Sequence, residues 1–239
     1  GINNSKELLK SHKINITSIY IMENGQGFRN KEINHLIKST KDRCKILNKY
    51  EFNKNFPNIR SQGIIINFRF KFSNSIPNFK GGNICLLLPE GIEDPQNLGQ
   101  IIRTSECAGI NGILVSETRS VGITNTVLQV SQGAFLNMPI YTIGNINQTL
   151  SMLKKEGFWI IGVENSIESS NWYDIDFLGK VVIVVGSEGK GIRKSTLKNC
   201  DYTATIPMMG NINSLNVSAA VSAILFERNR QIIIKSEFK

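Results

Sequence analysis

The segment Val181-Val-Ile-Val-Val185 is an unbroken run of β-branched residues. A half-buried strand alternates polar and apolar positions, so a run with no polar position demands cover on both faces. That condition is met by a central strand of a parallel sheet layered with helices, and little else in a chain of 239 residues satisfies it. Comparable short apolar runs predict further strands over 84–89, 112–116, 139–143, 158–163 and 202–206. Helical periodicity between them predicts helices over 96–108, 125–134, 147–156, 193–198 and 214–230. The alternation reads as a doubly wound α/β domain over 83–239, with ligands expected beyond the carboxyl ends of its strands.

The stretch Ser73-Asn-Ser-Ile-Pro-Asn-Phe-Lys-Gly-Gly82 is polar and punctuated by Pro and Gly, which predicts a linker over 74–82. Before it, a helix over 5–11, a strand over 16–22, a helix over 31–40 and a strand over 63–70 make a small α/β domain, 1–73. Residues 1–80 hold 15 Lys/Arg against 5 Asp/Glu, a net of +10, whereas residues 81–239 hold 13 against 14, a net of −1. Ile, Asn and Lys make up 81 of the 239 residues, the mark of AT-biased coding, which inflates Lys on any solvated surface. Such bias acts on the whole chain, so the asymmetry belongs to the first domain and suits a polyanion. Its candidates include Lys6, Lys10, Arg43, Lys45, Lys49, Lys54 and Arg60.

No apolar run approaches the ~20 residues of a membrane-spanning helix, and no signal-peptide core opens the chain, so a soluble protein is expected. Cys44, Cys85, Cys107 and Cys200 are far apart and form no C-x-x-C pair, which argues against a disulfide framework or a zinc site. Both histidines, His12 and His35, fall in the first domain, so the α/β domain has neither a Ser-His-Asp triad nor a Cys-His pair nor a His-bound metal. The turn Gly186-Ser-Glu-Gly-Lys-Gly-Ile192 has glycines spaced G-x-x-G-x-G, not G-x-G-x-x-G. Gly186 and Gly191 have phosphate-loop spacing, but Ile192 and Arg193 stand where Lys and Ser/Thr are required. The turn either brings backbone close to a ligand or is a tight left-handed entry to the next helix.

Three segments at strand ends carry candidate chemistry. The first runs Leu88-Pro-Glu-Gly-Ile-Glu-Asp-Pro-Gln-Asn97-Leu-Gly-Gln-Ile-Ile-Arg103, with Asn97 near a helix start and Arg103 six residues on. The second is Gly186-Ser-Glu188-Gly, and the third is Ile206-Pro-Met-Met-Gly-Asn-Ile-Asn-Ser214-Leu215-Asn216-Val-Ser218. Singly, each has a plain structural explanation. Arg103 is then a surface arginine, Glu188 a cap for helix amides, and Ser214 the N-cap of the last helix.

Together and in order, the N-L-G…R, G-x-E-x-x-G and I-P-M…S-L-N-V-S segments resemble the SpoU (TrmH-type) branch of the SPOUT RNA methyltransferases, across essentially all of 81–239. The basic domain is similar to the ribosomal-protein-like RNA-binding domain of the ribosomal RNA members, with Ser61-Gln-Gly in place of that domain's H-Q-G. The resemblance implies a parallel sheet with a C-terminal deep trefoil knot, an exception to the unknotted rule. It implies S-adenosylmethionine held by Gly186, Ile206 and Leu215, and ribose 2′-O-methylation of RNA, with a guanosine of large-subunit ribosomal RNA as the expected target. Arg103 is then the residue that grips a phosphate or hydroxyl or takes the proton. Asn97, Glu188, Ser214 and Asn216 would orient it and the ribose, without a metal. A homodimer through the knotted domain is implied too, in the cytoplasm or, behind an upstream targeting segment, an organelle with its own ribosomes. The competing readings are a tRNA ribose methyltransferase, a non-catalytic RNA-binding paralogue, and a nucleotide-dependent dehydrogenase that the glycine spacing disfavours.

Overall fold

In the computed structural model the chain divides between Lys71 and Phe72 into two units. The structure describes all residues except 58–60, 74, 119, 166–168 and 238–239, and the side chains of 39–41. Arg60, one of the expected polyanion contacts, lies outside the described residues.

The first unit runs α1 (Ile2–Lys10), β1 (Asn15–Met22), α2 (Gln26–Arg29), α3 (Lys31–Ile37), β2 (Cys44–Leu47), α4 (Lys49–Asn55) and β3 (Ile64–Arg69). Its sheet is ordered β2-β1-β3, with β2 parallel and β3 antiparallel to β1. Ile16, Ile19 and Ile21 of β1 bury themselves with Ile33, Ile37 and Ile64, a register shift between Ile16 and Ser18 keeping Ile16 on the same face. On the other face the Tyr20 ring packs tilted against Phe56, their centroids 5.0 Å apart. The expected helix over 31–40 ends at Ile37 and gives way to a 3₁₀ segment, Lys38–Arg43. Glu32 draws in the ammonium groups of Lys6 and Lys10. Hydrogen bonds from Lys6 and then Lys10 hold its carboxyl down at about 2. Lys45, Lys49 and Lys54 are exposed and unpaired among the described residues.

The second unit has β4 (Ile84–Pro89), α5 (Pro95–Cys107), β5 (Gly112–Ser116), α6 (Asn125–Val130), β6 (Ile140–Ile143), α7 (Ile146–Lys155) and β7 (Trp159–Val163). There follow β8 (Ser170–Asn171), β9 (Lys180–Val185), α8 (Lys194–Leu197), β10 (Tyr202–Thr205) and α9 (Val217–Glu237). The described strands form one seven-stranded sheet, β6-β5-β4-β9-β7-β10-β8, with every pairing parallel. Cys85 to Leu88 of β4 and Val181 to Val184 of β9 have no exposed surface at all, as the apolar runs require. Helix α5 packs on both α6 and α9. The Thr104 and Ser222 hydroxyls meet at 3.3 Å, and Asn229 donates to the Ala108 carbonyl at 3.1 Å.

Two expectations are corrected. The segment 74–82 is no free linker. Ser73 bridges Tyr141 in parallel, Ile76 and Phe79 pack on the core of the second unit, and the Phe79 ring lies 6.2 Å from that of Phe158. Its polar punctuation hides two apolar anchors three residues apart. Ser214 is no N-cap either. Helix α9 starts at Val217, and the Asn216 side chain accepts the Ser218 amide at 2.9 Å, as an N-cap does. The helix also runs on past 230 to Glu237.

Gly99 explains its place in the N-L-G segment by packing. A Cβ there would stand 2.6 Å from Val130 Cβ and 2.9 Å from the Val127 carbonyl. Gly99→Ala is therefore expected to destabilise by about 1–3 kcal/mol through overpacking. Gly122→Ala, with nothing within 4 Å, is the neutral control. Thermal melts of the two variants beside the parent protein check this.

Candidate functional site

Because β9 lies between β4 and β7, strand ends from distant parts of the chain open side by side. The turn after β9 and the segment between β10 and α9 wall a cavity of about 310 Å³. Gly186, Ile206 and Leu215, the expected cofactor contacts, all line it, as do Glu188 and Ser214. The turn after β9 folds tightly on itself. A Cβ on Gly186 would fall 2.0 Å from the Gly191 carbonyl carbon, so no side chain fits. Gly191 has φ +61°, and its amide donates to the Ser187 carbonyl at 2.9 Å. The Ile192 amide donates to the Glu164 carboxylate at 2.9 Å, and the Arg193 amide to that of Glu90 at 3.1 Å. Glu90 is buried and also accepts the Thr196 hydroxyl at 2.8 Å.

At the mouth of the cavity the three sequence segments meet in a closed hydrogen-bond triangle. Asn216 Nδ2 donates to Glu188 Oε1 at 2.6 Å and to Asn97 Oδ1 at 2.9 Å. Asn97 Nδ2 donates to the same Glu188 oxygen at 3.2 Å. The cap of α9 and the start of α5 are thereby tied to the turn after β9. A second cavity of about 190 Å³ borders the triangle and is lined by Asp94, Asn97, Ser187, Glu188 and Lys190. Glu188 lines both cavities, so one carboxylate stands between two ligand-sized spaces.

Arg103 is not drawn into this cluster. It lies exposed on α5, six residues beyond Asn97 and therefore on a different face of the helix. Among the described residues no ion pair or hydrogen bond occupies its guanidinium. Ser214 reaches the cavity wall but not the triangle. Glu90, Glu164 and Asn165 belong to the architecture of the site and were not among the residues expected from sequence. Glu90 and Glu164 are the first polar residues after apolar strands and Asn165 is the second, but that position alone does not show what each bonds to. Cys85, which is buried, and Cys200, which is half-buried, are poor nucleophiles here. Burial pushes the Cys85 thiol up to about 12 and that of Cys200 to about 11. The arrangement suits holding a partly apolar ligand in the larger cavity while carboxamides and a carboxylate orient a hydroxyl-bearing group beside it.

The SpoU rRNA Methylase family model matches residues 84–226. A TrmH family relative from Staphylococcus aureus (strain COL) is 32% identical over 228 residues, covering 92% of this chain and 90% of its own. The 23S rRNA (guanosine-2'-O-)-methyltransferase RlmB of Xylella fastidiosa (strain 9a5c) is 41% identical over 151 residues, 63% of this chain and 60% of the relative. Among solved structures, the SpoU methyltransferase AviRb from Streptomyces viridochromogenes superposes with a TM-score of 0.83 at 18% identity, covering 98% of this chain and 89% of that one. The same enzyme in complex with AdoMet gives 0.81.

The triangle has a testable electrostatic signature. Asn97→Asp removes a donor and sets two carboxylates together where an amide now bonds Glu188 at 3.2 Å. Two ionised carboxylates in contact repel, so the variant loses stability as pH rises through the carboxylate range and the penalty vanishes below about pH 4. The Tm deficit of the variant is expected to widen by about 2–4 °C between pH 4 and pH 7. A deficit that does not depend on pH would show the triangle to be unformed in solution.

Proposed function

The chain belongs to the SpoU rRNA methylase family, a family of S-adenosylmethionine-dependent RNA methyltransferases, and from that premise we propose that it methylates a ribose 2′-hydroxyl of a guanosine in large-subunit ribosomal RNA. The observation that carries this reading is the meeting of Asn97, Glu188 and Asn216 at the mouth of a cavity lined by Gly186, Ile206 and Leu215. The residues fit the cofactor. Gly186 leaves backbone exposed to close approach, and Ile206 and Leu215 offer apolar walls to an adenine. When bound, the cofactor supplies an electrophilic methyl group on a sulfonium.

A ribose hydroxyl is a weak nucleophile until its proton is shared or lost. The second cavity, with Asn97, Glu188 and Lys190 in its wall, is the place for that ribose. Glu188 Oε1 already accepts from two carboxamides, which fixes the carboxylate and leaves its other oxygen for the substrate. Ser214 and Asn216 complete the polar edge. A guanidinium offers five fixed donors and no acceptor, so the part of Arg103 is to grip the phosphate or the hydroxyl as the proton leaves. Its exposed, unpaired guanidinium supports that part. A homodimer through this domain is supported by the exposure of Met209 (97%) and Ile212 (76%) beside the cavity and of Phe226 (51%) on α9. A trefoil knot is supported by the position of β9 between β4 and β7 and by the return of α9 onto α5. The basic first unit is the RNA reader, and the bacterial relatives favour a cytoplasmic setting. No helix of the described residues is long and apolar enough to cross a membrane.

Tritiated-methyl transfer to ribosomal and transfer RNA, with the marks mapped, tests the substrate. Transfer to tRNA alone would replace the ribosomal reading. In the same assay Arg103→Ala and Arg103→Lys should each lose about a hundredfold or more, because a planar fork cannot be replaced by an ammonium. Cofactor affinity should hold. Turnover near that of the parent protein would remove Arg103 from the reaction.

Charge in the first unit gives an independent check. Replacing Lys45, Lys49 and Lys54 by Ala should lower the slope of log affinity against log salt by about 2, at roughly 0.7 for each lost single-strand phosphate contact. Filter binding across a salt series reads it, and an unchanged slope would place the RNA elsewhere.

A further inference from the structure

Three strand ends at the larger cavity stand in the order β9-β7-β10, although β7 precedes both others in the chain. The carboxyl end of β7 therefore lies between the two segments that wall the cavity, 186–192 and 206–216. The two residues that follow β7 reach to opposite sides. The Glu164 carboxylate accepts the Ile192 amide at 2.9 Å and fills the space beside Gly191, where a Cβ would come within 2.7 Å of it. Asn165 Nδ2 donates to the Asn213 carbonyl at 2.7 Å, and its Oδ1 accepts the Thr205 hydroxyl at 3.2 Å. The Glu164 backbone is itself anchored, its amide donating to the Ala204 carbonyl at 3.0 Å.

We propose that Glu164 and Asn165 are a positioning pair that ties both cofactor segments to one post and so sets the width of the cofactor cavity before any ligand arrives. The proposal rests on the reading of that cavity as the S-adenosylmethionine site. Residues 209–216 are exposed throughout, so few buried contacts hold this segment. Asn165 grips it midway, while Asn216 grips its end through the triangle. On the other side the turn after β9 is fixed in sequence from Gly191 to Arg193, and Glu164 supplies the middle bond. Preordering both walls removes a cost that binding would otherwise bear. Glu164 and Asn165 are separate from Asn97, Glu188 and Asn216, so their loss should fall on cofactor affinity and not on turnover at saturation.

The test uses the full chain with Glu164→Ala, Glu164→Gln, Asn165→Ala and Asn165→Asp. Calorimetry gives the Kd for S-adenosylmethionine, and hydrogen exchange on the cofactor-free protein follows peptides covering 186–192 and 206–216. Glu164→Ala, Asn165→Ala and Asn165→Asp are each expected to weaken binding about tenfold and to speed exchange in the segment they release. Their kcat at saturating cofactor should stay within about threefold. Glu164→Gln keeps an oxygen for the Ile192 amide and should stay within about threefold of the parent Kd. Unchanged Kd and exchange in both Ala variants would overturn the proposal, as would a Gln variant that behaves like Ala. A parent protein that binds no S-adenosylmethionine overturns the cofactor reading instead, and the exchange data then decide by themselves whether the pair ties the two segments.

Discussion

Everything at this site depends on β9 being buried between β4 and β7. A strand of five consecutive β-branched residues cannot tolerate an open face, so it takes a central place in the sheet, and Val181 to Val184 lose all contact with solvent there. Its carboxyl end must then emerge between the ends of β4 and β7. That placement brings Gly186 and Glu188 beside a helix that starts some ninety residues earlier and another that starts about thirty residues later. The hydrophobic run and the polar cluster are thus one constraint seen at two levels. Burial fixes where the strand lies, and the strand's position decides which polar groups can meet.

The polar cluster that results is held by amides and not by cations. Glu188 takes hydrogen bonds from Asn97 and Asn216, which orient its carboxylate without neutralising it. A lysine in either place would cancel the charge and, having no acceptor, could neither take the bond that Asn97 accepts from Asn216 nor cap α9 as Asn216 does. Keeping the charge leaves the site able to interact with a cationic methyl donor and with a guanidinium. In the proposed reaction this carboxylate also stands near the RNA phosphate, which sets a need for positive charge nearby. Lys190 lines the adjoining cavity, and Arg103 is exposed on α5. In the first unit, Lys6 and Lys10 are consumed by Glu32, so formal charge overstates what that unit can offer a polyanion.

What could be read from sequence follows from how each feature encodes itself. Strands β4, β5, β7 and β9 are continuous apolar runs, and the residues Gly186, Ile206 and Leu215 sit in short segments that resemble a family's motifs; the cavity gathers all three. Strand β2 and helix α4 escaped because they are short and half exposed, leaving no period to detect. Ser214 looked like a cap because it precedes an apolar stretch, but the backbone waits for Asn216, whose amide can cap α9 and reach Glu188 at once. Ile76 and Phe79 were lost among polar neighbours. Glu164 and Asn165 stand visibly at a strand end, but the chain order hides what they hold, since their importance comes from β7 lying between two later strands.

The glycine turn shows why spacing alone separates this site from a phosphate loop. A loop that cradles phosphate leaves several backbone N–H groups free to point at the anion. Here three consecutive amides, those of Gly191, Ile192 and Arg193, are already bonded to a carbonyl and to the carboxylates of Glu164 and Glu90. The glycines serve the closure that makes those bonds possible. Gly186 gives way to the Gly191 backbone, and Gly191 gives way to the Glu164 carboxylate. A turn backed by two carboxylates repels an anion and favours a neutral or cationic ligand. The same geometry that removes a nucleotide triphosphate or a dinucleotide from consideration therefore suits a sulfonium cofactor, and it does so with groups that lie outside the motif by which the turn is known.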